Sequence, residues 1–251
     1  MATLSLPRRL SEAVGAWMHL EYCSYRAGVF SESSLKAVIG SVLSTVPVKA
    51  RGTRAHAEYN HPALNVIKRP GAPNMVDFAL ILNGASIHGE AYIETKWAGS
   101  SHCKDVNILK DFLRLANIKM VEPDAKCIFL MAGKSSDLAA LFNSFPFRTT
   151  SQGKSNGFQL TSGEVKMKFD HLDQAFFSKA SPVFSELIDR GMTVPMSLTV
   201  CCHGIFPSDS VPYKAKFQAV AWEITQVDTP IIQKLWYRKA TAKNKGAVRA
   251  M

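Results

Sequence analysis

The stretch "YIETKW", residues 92–97, holds Glu94 and Lys96 two positions apart in an apolar, aromatic-rich segment. A β-strand has a side-chain period of two, so Tyr92, Glu94 and Lys96 share one face while Ile93, Thr95 and Trp97 fill the other. A carboxylate and an ammonium then point the same way from a strand that reads as internal to a sheet. Just upstream, "VDFALIL", residues 76–82, reads as a second strand, with Asp77 on the face of Ala79 and Ile81. Asn83-Gly84 is a turn signal, and the few residues from 83 to 89 make an antiparallel hairpin the simplest connection. Turning there, the hairpin sets residue 77 roughly opposite residue 96. Asp77, Glu94 and Lys96 are therefore expected to converge at one end of the sheet.

The flanking chain supplies helices and further strands. Residues 10–25 form a helical pattern with Leu10, Val14, Trp17 and Met18 on one side. In "SESSLKAVIGSVLSTVP", Ser31 is a candidate N-cap. Leu35, Val38, Ile39, Val42, Leu43 and Val46 follow helical spacing, and Pro47 stops the helix. Residues 54–60 read as a short strand and 61–75 as a loop. "DVNILKDFLRLANIK" reads as a helix with Leu109, Phe112, Leu113 and Ala116 on one face and Asp105 as candidate cap. After a turn at Glu122-Pro123-Asp124, the fully apolar "KCIFLMA", residues 126–132, fits a buried central strand. A short helix near 137–143, a Ser/Thr/Gly-rich loop or flap at 147–163, helices near 170–180 and 182–190, and two strands in "TVPMSLTVCCHGI" and "KAKFQAVAWEITQV" complete the pattern.

The motif "NMVD", then 16 residues after Asp77, then "ETK", resembles the PD-(D/E)XK nuclease superfamily. The resemblance covers about residues 31–132. It implies an α/β fold with a restriction-endonuclease-like αβββαβ core: a mixed central sheet flanked by helices, extended here by C-terminal helices and strands. The family's proline before the Asp is missing, since Val76 precedes Asp77 and Pro73 lies four residues before Asp77. By the same resemblance, Asp77, Glu94 and Lys96 are the catalytic set. Asp77, Glu94 and the main-chain carbonyl of Thr95 are the metal ligands, with Glu58 a further acid. The cofactor the resemblance implies is Mg²⁺, with Mn²⁺ a substitute. Hard carboxylate oxygens suit that ion. Lysine at its ordinary pKa of ~10.4 is a poor base at neutral pH, so an orienting or electrostatic role suits Lys96 better. Lys104, Lys110 and Arg114 are the phosphate contacts expected on and before the helix after the motif strand. The competing reading is a plain surface ion pair between Glu94 and Lys96, worth only ~0–1 kcal/mol and needing no function.

Composition agrees with a polyanion partner. The 251-residue chain is 47% hydrophobic and carries a net charge of +10, with pI near 9.4. Six basic residues and no acid lie in Gln233–Met251, so removing that tail takes the net charge from +10 to +4. The domain reading is one α/β domain over 1–232 and a basic tail over 233–251, whose Lys239, Lys243 and Lys245 are nucleic-acid candidates. Five cysteines without C-x-x-C spacing read as reduced, buried thiols in a cytoplasmic protein. No apolar run approaches the ~18 residues a membrane span needs, and Glu12, His19 and Glu21 interrupt any signal-type segment. His56, His61, His88 and His102 show no metal-ligand spacing. The functional expectation is metal-dependent hydrolysis of nucleic acid phosphodiesters, DNA before RNA, by an endonuclease of restriction or phage-defence type. A homodimer or a partner protein is left open. The alternative is a non-catalytic nucleic-acid-binding or assembly subunit on the same fold.

Overall fold

A computed structural model describes residues 4–46, 52–67, 73–82, 89–147, 163–169, 174–208 and 215–231. Helices α1 (Leu6–Cys23) and α2 (Glu32–Ser44) come first, followed by strands β1 (Thr53–Tyr59), β2 (Val76–Leu82) and β3 (Gly89–Trp97). Helix α3 (Asp105–Val121) leads to β4 (Lys126–Lys134) and α4 (Ser135–Phe142). Then come β5 (Gly163–Lys168), α5 (Gln174–Asp189), β6 (Pro195–Phe206) and β7 (Phe217–Ile231). The seven strands form one mixed sheet in the order β1-β2-β3-β4-β7-β6-β5. Only β3 and β4 run parallel, because α3 crosses over between them, whereas the other neighbours are antiparallel. The expected α/β class with a mixed, helix-flanked sheet is present.

Alternating side chains give the sheet two apolar faces. Leu10, Val14 and Met18 of α1 and Leu35, Ile39 and Leu43 of α2 cover one, against Phe78, Leu80, Ile93 and Leu130. Helices α3, α4 and α5 cover the other, where Phe112, Phe129 and Trp222 are buried. β4 is buried along seven consecutive residues, as a strand covered on both faces should be. Helix α2 starts as its sequence predicts: Ser31 and Ser34 form a reciprocal cap, each side chain bonding the other's backbone N–H.

Several elements differ from expectation. Lys104, not Asp105, is the residue preceding α3, and Asp105 lies in its first turn, where an acid suits the helix dipole. The two expected helices at 170–190 are one, α5, which carries Pro182 inside it; its buried Ala180, Val183, Phe184 and Leu187 hold it together. β5 starts at Gly163, the last residue of the expected loop, and runs on through residues to which the sequence pattern assigns no element; residues 148–162 of that flap lie outside the described residues, as does the basic tail. All five cysteines are free thiols, yet Cys23 is exposed at the end of α1.

Helix α1 approaches β6 closely at Gly15. A Cβ built there meets the Phe206 carbonyl oxygen at 2.5 Å. Gly15→Ala should lower stability by about 2 kcal/mol in urea unfolding, through overpacking, although helix propensity alone favours alanine by ~1 kcal/mol. A gain in stability would contradict this packing.

Candidate active site

β2 and β3 pair as Phe78↔Ile93, Ala79↔Tyr92 and Leu80↔Ala91. By that register Asp77 lies opposite Glu94, not Lys96 as the sequence suggested. A slip of two residues keeps every side chain on its face, so alternation alone does not separate the two registers.

The ladder ends at Phe78↔Ile93. Beyond it, the Asp77 carboxylate replaces the missing strand partner. Asp77 Oδ2 accepts from the Thr95 backbone N–H at 2.7 Å and from Thr95 Oγ1 at 2.8 Å. Asp77 Oδ1 lies 2.6 Å from Lys36 Nζ on α2. In a strand the N–H and C=O of one residue point to the same side. Because the Thr95 N–H points at Asp77, its carbonyl is aimed into the same opening.

On the α3 side, Glu94 is 2% exposed. Its Oε1 lies 2.9 Å from Arg114 Nη1, yet without the alignment of a hydrogen bond. Lys96 Nζ lies 2.9 Å from Asp111 Oδ2, and Arg114 Nη1 also reaches Asp111 Oδ1 at 3.0 Å. Arg114 Nη2 donates to the Met75 carbonyl, just ahead of β2, so one guanidinium ties α3 to both strands of the site. Just ahead of β2, the Asn65 side chain accepts from the Asn74 backbone N–H and donates to the Asn74 carbonyl, while Arg190 Nη1 donates to Asn74 Oδ1 at 3.0 Å.

Three acidic side chains, Asp77, Glu94 and Asp111, thus meet three cations, Lys36, Lys96 and Arg114. Burial raises the Glu94 carboxyl well above the usual carboxylate range, against the pull of Arg114. Burial works against the Lys96 ammonium, but Asp111 outweighs it and raises the lysine above its usual value. Lys96 is a fixed positive charge at neutral pH. Cys103, close enough to feel Lys96 and Asp111, is pushed up to about 11 by burial and stays a thiol.

The structure therefore brings Asp77, Glu94, Thr95 and Lys96 together. Glu58 lies exposed on the edge strand at the register position of Asp77, between the pairs Ala57↔Phe78 and Tyr59↔Val76. It holds a left-handed φ of 51°, a conformation that costs a non-glycine residue about 1–2 kcal/mol. Among the phosphate-contact candidates, Lys104 is exposed beside the site. Arg114 is turned inward and Lys110 pairs with Glu186 of α5 at 2.5 Å, because α3 is covered by α5 as well as by the sheet. Neither presents the free, solvated face expected of it. Lys239, Lys243 and Lys245 lie outside the described residues. Sequence reasoning missed Lys36 and Asp111. The signal for Asp111 was an acid at i−3 from an arginine inside an apolar helix.

His61, just before a 3-10 turn at Pro62–Leu64, is buried. Its Nδ1 accepts from the Ala63 N–H, so Nε2 carries the proton donated to Glu122 at 2.9 Å. Tyr92 Oη and the Gly89 N–H also donate to Glu122. This cluster fastens the start of β3 to the end of α3.

Among the described residues no three His, Cys, Asp or Glu side chains form a ready metal-binding group, and no helix is long and apolar enough to cross a membrane. The donor chemistry nevertheless fits a hard divalent cation. Two carboxylates and a carbonyl converge, and the buried Glu94 Oε1 has no hydrogen bond. Comparisons with protein-family models, with curated proteins and with solved structures return no match.

Truncating a partner inside the cluster should be expensive, since it strands two buried cations. Asp111→Ala is expected to lose about 3–5 kcal/mol in urea unfolding. Glu12→Ala, which removes the exposed Arg8–Glu12 pair, should lose under about 1 kcal/mol. Equal, small losses would contradict the charge-balanced cluster.

Proposed function

We propose that this chain is a metal-dependent nuclease of the PD-(D/E)XK kind, cutting nucleic acid phosphodiesters, DNA in the first place. The observation that carries the reading is the convergence of Asp77, Glu94 and Lys96 where the β2–β3 ladder ends. The order α2, β1, β2, β3, α3, β4, with β3 and β4 parallel, supports the restriction-endonuclease-like core. A restriction or phage-defence role in the cytoplasm, as a homodimer or beside a partner protein, suits a chain of this charge and size.

In this reading Asp77, Glu94 and the Thr95 carbonyl would hold Mg²⁺ or Mn²⁺, with Glu58 at the rim. The bound ion would lower the pKa of a water and neutralise charge growing on the phosphate. Lys96, kept cationic by Asp111, orients the attacking water and offers positive charge to the scissile phosphate; it does not take the proton. Asp111 and Arg114 are positioning residues, the first aiming Lys96 and the second clamping Glu94 and Met75. Exposed Lys104, Lys134 and Lys216 are suited to the substrate backbone. The last two lie at the junction of β4 and β7, where the Ser135 N–H bonds the Lys216 carbonyl.

One observation favours the second reading, a non-catalytic nucleic-acid-binding subunit: each acid already faces a protein cation, Lys36 on Asp77 and Arg114 on Glu94. A cleavage assay separates the two. Wild type, Asp77→Ala and Lys96→Ala are incubated with supercoiled plasmid, linear duplex, single-stranded DNA and RNA, in Mg²⁺, Mn²⁺ or EDTA. The nuclease reading predicts metal-dependent cutting that falls about 100-fold or more in both variants. Full cutting by the variants would refute the assigned site. Tight binding without cutting under any metal would establish the second reading.

A further inference from the structure

Lys36 is the one cation of the cluster that belongs to neither β3 nor α3. It reaches Asp77 from α2, on the opposite side of the sheet from Arg114 and Asp111. Its side chain is 32% exposed, against 11% for Arg114 and 17% for Lys96. It stands against the one Asp77 oxygen that Thr95 does not use. Burial disfavours its ammonium, but Asp77 outweighs that and raises its pKa, with Glu32 and Glu58 adding to the effect.

These positions imply two different tasks. Arg114 is locked by three partners, Glu94, Asp111 and the Met75 carbonyl. Among the described residues Lys36 has one close partner, Asp77, and its side chain is about three times as exposed as that of Arg114. An ammonium on a four-carbon stem swings away at small cost, unlike a guanidinium held in a fork. Asp77 Oδ1 is also an oxygen that a metal ion at this site would need.

We propose that Lys36 is a displaceable counter-ion for the metal site. It neutralises Asp77 while no divalent cation is bound and is pushed off Oδ1 when one binds. The proposal rests on the metal-dependent reading above. It adds that affinity for the ion is set partly by competition with a lysine of the same chain. Removing the ammonium should therefore tighten metal binding, the reverse of what loss of a ligand or loss of structure does. The freed ammonium, still tethered beside the site, would face the phosphate that the ion brings in.

The test is isothermal titration calorimetry of Mn²⁺ into the full chain, with no substrate present, for wild type, Lys36→Met, Lys36→Arg and Asp77→Asn. Circular dichroism confirms that each is folded. Lys36→Met should bind Mn²⁺ about tenfold more tightly than wild type, the scale of one partly exposed charge pair. Lys36→Arg, which keeps the charge on a guanidinium that leaves less readily, should bind Mn²⁺ no more tightly than wild type, and Asp77→Asn should bind far more weakly. The thermal midpoint of Lys36→Met should also rise more with Mn²⁺ than that of wild type, since its free form has lost the counter-ion. Equal or weaker binding by Lys36→Met, with wild type binding normally, would overturn the counter-ion role and leave the metal-dependent reading standing. Absence of Mn²⁺ binding by wild type and Lys36→Met alike would overturn the metal-dependent reading, and this inference with it.

Discussion

The Asp77 carboxylate holds the site open. Where β2 and β3 cease to pair, this side chain accepts the Thr95 N–H that a strand neighbour would otherwise satisfy, and the Thr95 hydroxyl with it. A buried backbone donor left without a partner costs about 1–3 kcal/mol, so the strands can part only because the carboxylate takes over. The same group then faces α2 through Lys36 and the Glu94 position through the register. One short acid thus terminates a ladder, creates a gap in a sheet, and lines that gap with oxygen.

Charge balance on the other side of β3 explains why Glu94 and Lys96 tolerate their surroundings. Neither sits in a simple pair with the other. Glu94 leans on Arg114 and Lys96 on Asp111, and Asp111 touches both cations. A network of this kind breaks even against apolar packing at best, because each charge has left water. It sits on a strand otherwise filled by the buried Ala91, Tyr92 and Ile93, so stability alone gives no reason for it. The Glu122 cluster with Tyr92, His61 and Gly89 is the contrast at the far end of β3. There the carboxylate is saturated by donors, and the arrangement fastens the fold.

Much of the frame was legible because periodicity and punctuation agreed. VDFALIL matched β2 residue for residue, Ser31 capped α2, and the hairpin direction followed from a short turn. The register did not follow, since a two-residue slip leaves Asp77 and Glu94 on the same face and only tertiary packing chooses between slips. Arg114 was misplaced for a related reason. Helical spacing shows that it lies four residues from Lys110, but not that α5 covers the outer side of α3. Lys36 was invisible because α2 meets the Asp77 end of β2 only through the folded sheet. β5 was overlooked because Val165 and Met167 give too short an alternation to stand out beside a polar loop.

The central claim is that the opening between Asp77 and Glu94 takes a divalent cation. Anomalous diffraction from a crystal soaked in Mn²⁺ tests it most directly. The account predicts an anomalous peak within ligand distance of the Asp77 carboxylate, the Glu94 carboxylate and the Thr95 carbonyl, with Lys36 moved away from Asp77. A fully soaked crystal with no peak there, and with the Lys36–Asp77 and Arg114–Glu94 pairs intact, would contradict it.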